Sequence, residues 1–282
     1  MKEQFQHKIT NSFILWFDNF LLTKGEAFTN KTGNLFNYTD NRLDSRFTPY
    51  GSSYKQWVTD SSVSGATVPS GVFIDGNFSG RNDGIVLDFD NGRALVSGDV
   101  TTSTVTGEFA VKDFNVYLTN DTEDDIIIEN KYVINSRLPS GPETNITPYD
   151  DVVPAVFIST TRGENEPFAL GGLQNSRINV NAVVLAEDTY QLDGVLSIFM
   201  DSVDECFTEL SMKEYPVTEL GDLKDNTYSY TGTISPFDGN DKFYIEKVTT
   251  AKLTDRERNI IANELYVGFI DFDVRKARTR FT

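Results

Sequence analysis

Carboxylates are the most abundant reactive groups in this chain, with 42 Asp and Glu among 282 residues. Their spacing singles out no catalytic pair. Asp88 and Asp90 are two residues apart and would share one face of a strand. Glycoside hydrolysis needs two carboxyls that flank the scissile bond, and spacing along one strand does not supply that. Solvated carboxylates on an outer sheet face are the simpler reading. Residues 121–125 hold three Asp and one Glu, and Asp238-Gly239-Asn240-Asp241 is a second oxygen-rich stretch. Hard cations favour clustered oxygens, but neither stretch has the twelve-residue calcium loop with its closing Glu. Turn chemistry accounts for both. No metal, cofactor or catalytic residue is expected.

The lone histidine, His7, lies in a polar N-terminal segment, and the lone cysteine is Cys206. That scarcity argues against Ser–His–Asp and Cys–His catalysis and against histidine-based zinc sites. A single thiol makes no intrachain disulfide, so the chain reads as folded in a reducing compartment. Cys206 reads as a small buried hydrophobe among helix residues. There is no P-loop and no Gly-x-Gly-x-x-Gly, and Gly171-Gly172 precedes no helical pattern. The expectation is a protein that is not an enzyme.

The elements that must position these groups read as strand-rich. Phe occurs 21 times and Tyr 12 times, and aromatic and β-branched residues suit a pleated, half-buried surface. The length fits one large or two ordinary domains. A formal charge of -17 opposes non-specific binding to nucleic acid or anionic lipid. Residues 1–8 show no signal peptide. The apolar run Phe13–Leu22 is broken by Asp18 and Asn19 and is too short to span a bilayer, so no membrane contact is expected. Asn-x-Ser/Thr triplets such as Asn77-Phe78-Ser79 read as turns.

A first helix is expected over Thr10–Thr23. Ile9, Phe13, Trp16, Phe17, Phe20 and Leu21 form its apolar stripe, and Lys24-Gly25 stops it. The stripe should face the chain's own core. Residues 26–70 lack periodicity but carry Phe36, Tyr38, Phe47, Tyr50, Tyr54 and Trp57. They read as an extended loop or arm with anchoring aromatics, ordered on a partner. Residues 71–135 read as an inserted β domain, with a hairpin at Asn91-Gly92 and a strand pair at Phe109–Leu118 and Ile126–Ile134. Together they would stack as a small sandwich. Residues 136–153, with Pro139, Gly141, Pro142 and Pro148, read as a linker.

Residues 154–282 change rhythm. Strands are expected at Ala155–Ser159, Ile178–Leu185, Phe243–Leu253 and Leu265–Lys276. A helix is expected over Glu187–Asp204, capped by Asp188 with Gln191 in the capping-box position. The fold class is strand-rich α+β: an antiparallel sheet with two packed helices, the N-terminal one included, plus the inserted β-sandwich-like unit. Arg275, Lys276, Arg278 and Arg280 form a basic tail on an acidic chain. They read either as charge that blunts an edge strand or as a contact with an acidic neighbour, such as another copy.

The C-terminal half resembles phage tail-terminator proteins. The similarity lies in the opening strand Pro154-Ala155-Val156-Phe157-Ile158, the long strand Ile178–Leu185, the acidic helix start Glu187-Asp188, the helix to Asp204 and the two closing strands. Phrases such as Leu22-Thr23-Lys24-Gly25-Glu26-Ala27-Phe28, Tyr50-Gly51-Ser52-Ser53-Tyr54-Lys55-Gln56-Trp57 and Val68-Pro69-Ser70-Gly71-Val72 resemble virion proteins of tailed phages of marine bacteria. Small terminators lack a β-unit corresponding to residues 26–150. The resemblance implies a virion protein of the head–tail junction that forms a ring, with six copies the family pattern. Such a ring caps the tail tube and meets neck, tail-tube or sheath proteins. DNA would only pass through its lumen. Phe36, Tyr38, Tyr50, Tyr54 and Trp57, with the basic tail, are the expected contacts. Two other readings stay open. One is a β-sandwich adhesion module that binds host-surface glycan through exposed aromatics such as Trp57. The other is a carboxylate-dependent hydrolase.

Overall fold

The computed structural model describes residues 3–129, 132–134, 150–167, 173–233, 242–260 and 264–279. The protein is strand-rich α+β. Helix α1 spans Phe5–Lys24 and starts earlier than its stripe suggests. Two contacts extend it. The Gln4 backbone N–H donates to His7 Nδ1 at 3.1 Å, and Phe5 packs on Phe243 with ring centroids 5.7 Å apart. Its end follows the sequence, with the Gly25 N–H donating to the Leu21 carbonyl. The stripe is buried in the protein's own core.

One curved antiparallel sheet has seven strands: β1 (Phe28–Asn37), β2 (Phe47–Gly51), β3 (Gly71–Ile74), β4 (Asn77–Gly80), β5 (Ile85–Asp88), β6 (Arg93–Ser97) and β7 (Val105–Lys112). The order is β4-β3-β7-β1-β2-β6-β5. β1 pairs with β7 from Phe28 to Leu35 and then with β2 at Phe36 and Asn37. That change of partner turns the sheet on itself. The Asn91-Gly92 signal is correct: β5 and β6 form the expected hairpin. Gly92 has φ 57°, and a Cβ there would lie 2.0 Å from the Tyr54 carbonyl oxygen, so glycine alone fits.

Residues 26–70 are therefore not an arm. They supply β1 and β2, and residues 52–60 form a buried strap. The Trp57 N–H donates to Phe89 O and the Val58 N–H to Ala110 O. Gln56 Nε2 donates to Val116 O at 2.9 Å, while Gln56 Oε1 accepts from the Val116 N–H at 2.8 Å. Asp60 accepts from Asn19 Nδ2, the Ser62 N–H and the Tyr230 N–H. The strap lacks hydrophobic periodicity because its buried polar side chains are held by hydrogen bonds rather than by an apolar face.

The second sheet contains β8 (Asn115–Leu118), a long hairpin, and three strands beyond it. A two-stranded parallel pair, β9 (Tyr132–Ile134) and β10 (Asp151–Val153), lies beside this sheet. The hairpin is β11 (Ala155–Pro167) with β12 (Leu173–Ala186); then come β13 (Cys206–Thr208), β14 (Lys242–Lys252) and β15 (Tyr266–Thr279). Its order is β13-β14-β15-β12-β11-β8, antiparallel except where β8 meets β11. The expected sandwich over 71–135 is corrected: β8 joins this second sheet, and Glu123–Glu129 is a helix, α2. Thr122 and Asp125 cap α2 reciprocally, which explains the acidic cluster as cap chemistry. Of the expected linker, residues 136–149 lie outside the described residues, and Asp151–Val153 is a strand with Val152 and Val153 buried. Cys206 is a half-buried strand residue, not a helix residue.

Helix α3 spans Thr189–Met200, and the Asp188 carboxylate accepts from the Gln191 N–H at 2.8 Å. α1 and α3 pack on one face of the second sheet. Phe17 stacks on Phe199 with centroids 4.0 Å apart, and both meet Phe272 edge-on. The opposite face buries Ala155, Phe157, Val183, Leu185 and Val267 beneath Ile126 and Ile127 of α2. One apolar cluster runs from the first sheet through α1 to the second.

Candidate functional site

The expected contact aromatics do not gather on a surface. Tyr50 and Trp57 are 2% and 1% exposed, which removes both as contacts. Trp57 stacks on Phe109 at 4.4 Å, and its Nε1–H donates to Ser52 Oγ at 3.3 Å. The Tyr50 hydroxyl donates to Val100 O. Phe36 is half-buried where β1 changes partner. Tyr38 is half-buried, and its hydroxyl accepts from Arg93 Nη1 at 2.8 Å. Arg93 also pairs with Asp88 at 2.7 Å and with Asp40 at 3.0 Å. Asp88 is 1% exposed, so it is a buried partner of Arg93 and not one of two outer-face acids. Tyr54 is half-buried beside a cleft, with Lys31 Nζ 5.6 Å from its ring centroid.

The described part of the basic tail is the end of strand β15, which pairs with β12 through Thr279 but with β14 only as far as Arg275. Lys276 is buried and ion-paired with Glu209, which Lys8 also holds at 2.6 Å. These two ammonium groups outweigh burial and keep the Glu209 carboxyl below the usual range. Arg275 pairs with Glu246 at 2.8 Å. Arg278 lies over the Phe5 ring at 3.9 Å and donates to Asn165 Oδ1. Arg280 and Asp238–Asp241 lie outside the described residues. Arg275, Lys276 and Arg278 thus serve internal pairs.

What stands open is the margin of the second sheet. β11 pairs with β8 only at Ala155–Ile158, and no described strand pairs with its outer edge from Thr160 to Pro167. This stretch is exposed from Thr161 onward. Across the sheet, β13 covers β14 only at Lys242–Tyr244, and no described strand pairs with the outer edge of β14 at Lys247–Lys252, whose inner edge is held by β15. The first open edge carries Arg162, Glu164 and Glu166. The second carries Lys247 and Lys252, the latter ion-paired with Asp193 of α3. Between them the sheet face is polar, with Arg177 within 3.6 Å of Glu246 and 3.9 Å of Glu166. Sequence reasoning found these strands but not their reach, because residues 160–167 have no apolar alternation to mark a strand.

Among the described residues, no group of three or more His, Cys, Asp or Glu is placed to hold a metal ion, and no helix is long and apolar enough to cross a membrane. No family model matches the chain, and neither does any curated protein.

Proposed function

We propose that this chain is a virion structural protein of a phage head–tail junction: a tail-terminator or neck-ring subunit that acts by assembly, not catalysis. The observation that carries the reading is the pair of open edges on the second sheet. Unpaired strand edges are templates for another chain. These two lie on opposite margins and differ in charge. The β11 edge is net acidic, whereas the β14 edge bears Lys247 beside the Lys252–Asp193 ion pair. Joining one copy's β11 edge to the next copy's β14 edge is a head-to-tail contact, and such contacts form a ring when the rotation between copies closes. Arg162, Glu164, Glu166 and Pro167 discourage indiscriminate pairing and favour a charge-matched strand.

The sequence resemblance to tail terminators and the two helices on one face of an antiparallel sheet support the same reading. A surplus of acid suits a lumen through which DNA slides without sticking. The ring's neighbours would be neck, tail-tube or sheath proteins. The test is light scattering on concentrated protein. A defined oligomer is expected. The double reversal Glu164→Lys with Glu166→Lys should shift it to smaller species. Adding Lys247→Glu should restore assembly in part. A strict monomer, or reversals without effect, would refute the reading.

A further inference from the structure

A cleft of 680 Å³ opens between α3 and the first sheet. Its volume lies in the range of small-ligand sites, roughly 300–1,000 Å³. Tyr190, Gln191 and Gly194 of α3 line one side, and Tyr54 and Asp113 line the other. None of these belongs to the open edges of β11 or β14.

Two features of the cleft have no explanation in folding. Tyr190 is 87% exposed, a large aromatic left in water one residue into a helix. Gly194 sits inside α3, where glycine costs about 1 kcal/mol relative to alanine. A Cβ on Gly194 would meet no atom within 4 Å, so packing does not require its absence. A side chain there would instead project into the cleft. Across from it, Tyr54 is steadied by Lys31 over its ring. Asp113 accepts from Thr29 Oγ1 at 2.9 Å, and a carboxylate has lone pairs beyond one such bond.

We infer that this cleft binds a neutral oligosaccharide. A pyranose has apolar C–H faces and a rim of hydroxyls. Tyr190 and Tyr54 offer flat apolar surfaces with polar tips, and Asp113 and Gln191 offer hydrogen-bond partners for hydroxyls. The bare backbone at Gly194 leaves room for a ring to approach the helix. The cleft's charges balance, with Asp113 and Glu187 against Lys31 over Tyr54 and Lys112 paired to Asp18, so no net charge in the lining calls for an ionic ligand. A purely apolar ligand would bury those polar groups without partners, which is costly. Trp57, the aromatic that the sequence suggests for glycan contact, is buried and takes no part.

The test applies the full chain to an array of neutral and anionic oligosaccharides, followed by calorimetry with the retained sugars. Retention of neutral oligosaccharides is expected. Tyr190→Ala should weaken binding about tenfold. Gly194→Leu should abolish it while the melting temperature holds or rises, since leucine is the better helix former. Tyr190 is exposed, so its variant keeps the test valid if Gly194→Leu perturbs the helix. Retention of anionic sugars alone, of no sugar at all, or equal binding by both variants would overturn the inference.

Discussion

At the scale of single residues, burial places several of the polar and aromatic side chains that could do chemistry in the protein's interior. Lys55 is the clearest case. It is 5% exposed, and its ammonium donates to Asn91 Oδ1 at 2.9 Å. Burial pushes it down from its ordinary value to about 8, although nearby Asp151 and Asp88 oppose that. Between pH 8 and about 10 the unfolded chain therefore holds a proton there that the folded chain has released. Stability should rise with pH across that window, by an amount on the order of 2–3 kcal/mol. Above about pH 10 the sign reverses. Burial raises Tyr117, Tyr215 and Tyr228, and unfolding then releases their protons. Denaturant melts from pH 7 to 9.5 check this: wild type should gain stability, and Lys55→Met should be flat. Trp57→Ala should cost about 3–5 kcal/mol as a core truncation, and Tyr190→Ala less than about 0.5 kcal/mol. Equal costs would contradict the assignment of one to the core and the other to the surface.

Elements were legible where an apolar pattern or a cap wrote them. The α1 stripe, the Asn91-Gly92 hairpin, the Asp188 cap and parts of β11, β12, β14 and β15 stood in the sequence, whereas β13 at Cys206–Thr208 did not. Replacing Asp188 with Ala should cost about 1 kcal/mol, read by thermal melting. Other elements were hidden for physical reasons. β1 reads Phe28-Thr29-Asn30-Lys31-Thr32-Gly33-Asn34 and is held chiefly by its ladder to β7. The strap at 52–60 replaces an apolar face with hydrogen bonds: Ser52 Oγ accepts from the Tyr54 N–H, the Gln56 N–H donates to Asn115 Oδ1, and the Asp60 carboxylate accepts from the Ser62 N–H. Ile126, Ile127 and Ile128 suggest a strand, yet the Thr122–Asp125 cap starts a helix there and only Ile126 and Ile127 are buried. The candidate site was the least legible part. An open edge is defined by the strand that is not beside it, and the α3 cleft joins Tyr54 to Tyr190, which are remote in sequence.

For the whole molecule, a shared core joins the two sheets, and among the described residues the margins of the second sheet carry long unpaired stretches. The charge of -17 opposes self-association, and salt screens it over about 8 Å at physiological strength. In the proposed ring the two edges would attract at short range. Assembly should therefore have an optimum: it is suppressed at low salt by net repulsion and weakened at high salt as edge pairing is screened. Sedimentation across a salt series reads this directly, and a monotonic loss with salt would mean that net repulsion is unimportant. The most direct test of assembly through the sheet edges is single-particle imaging of the concentrated protein. Closed rings are predicted, in which β11 residues 160–167 of one copy lie beside β14 residues 247–252 of the next. Monomers throughout, or rings in which these edges face solvent, would contradict it.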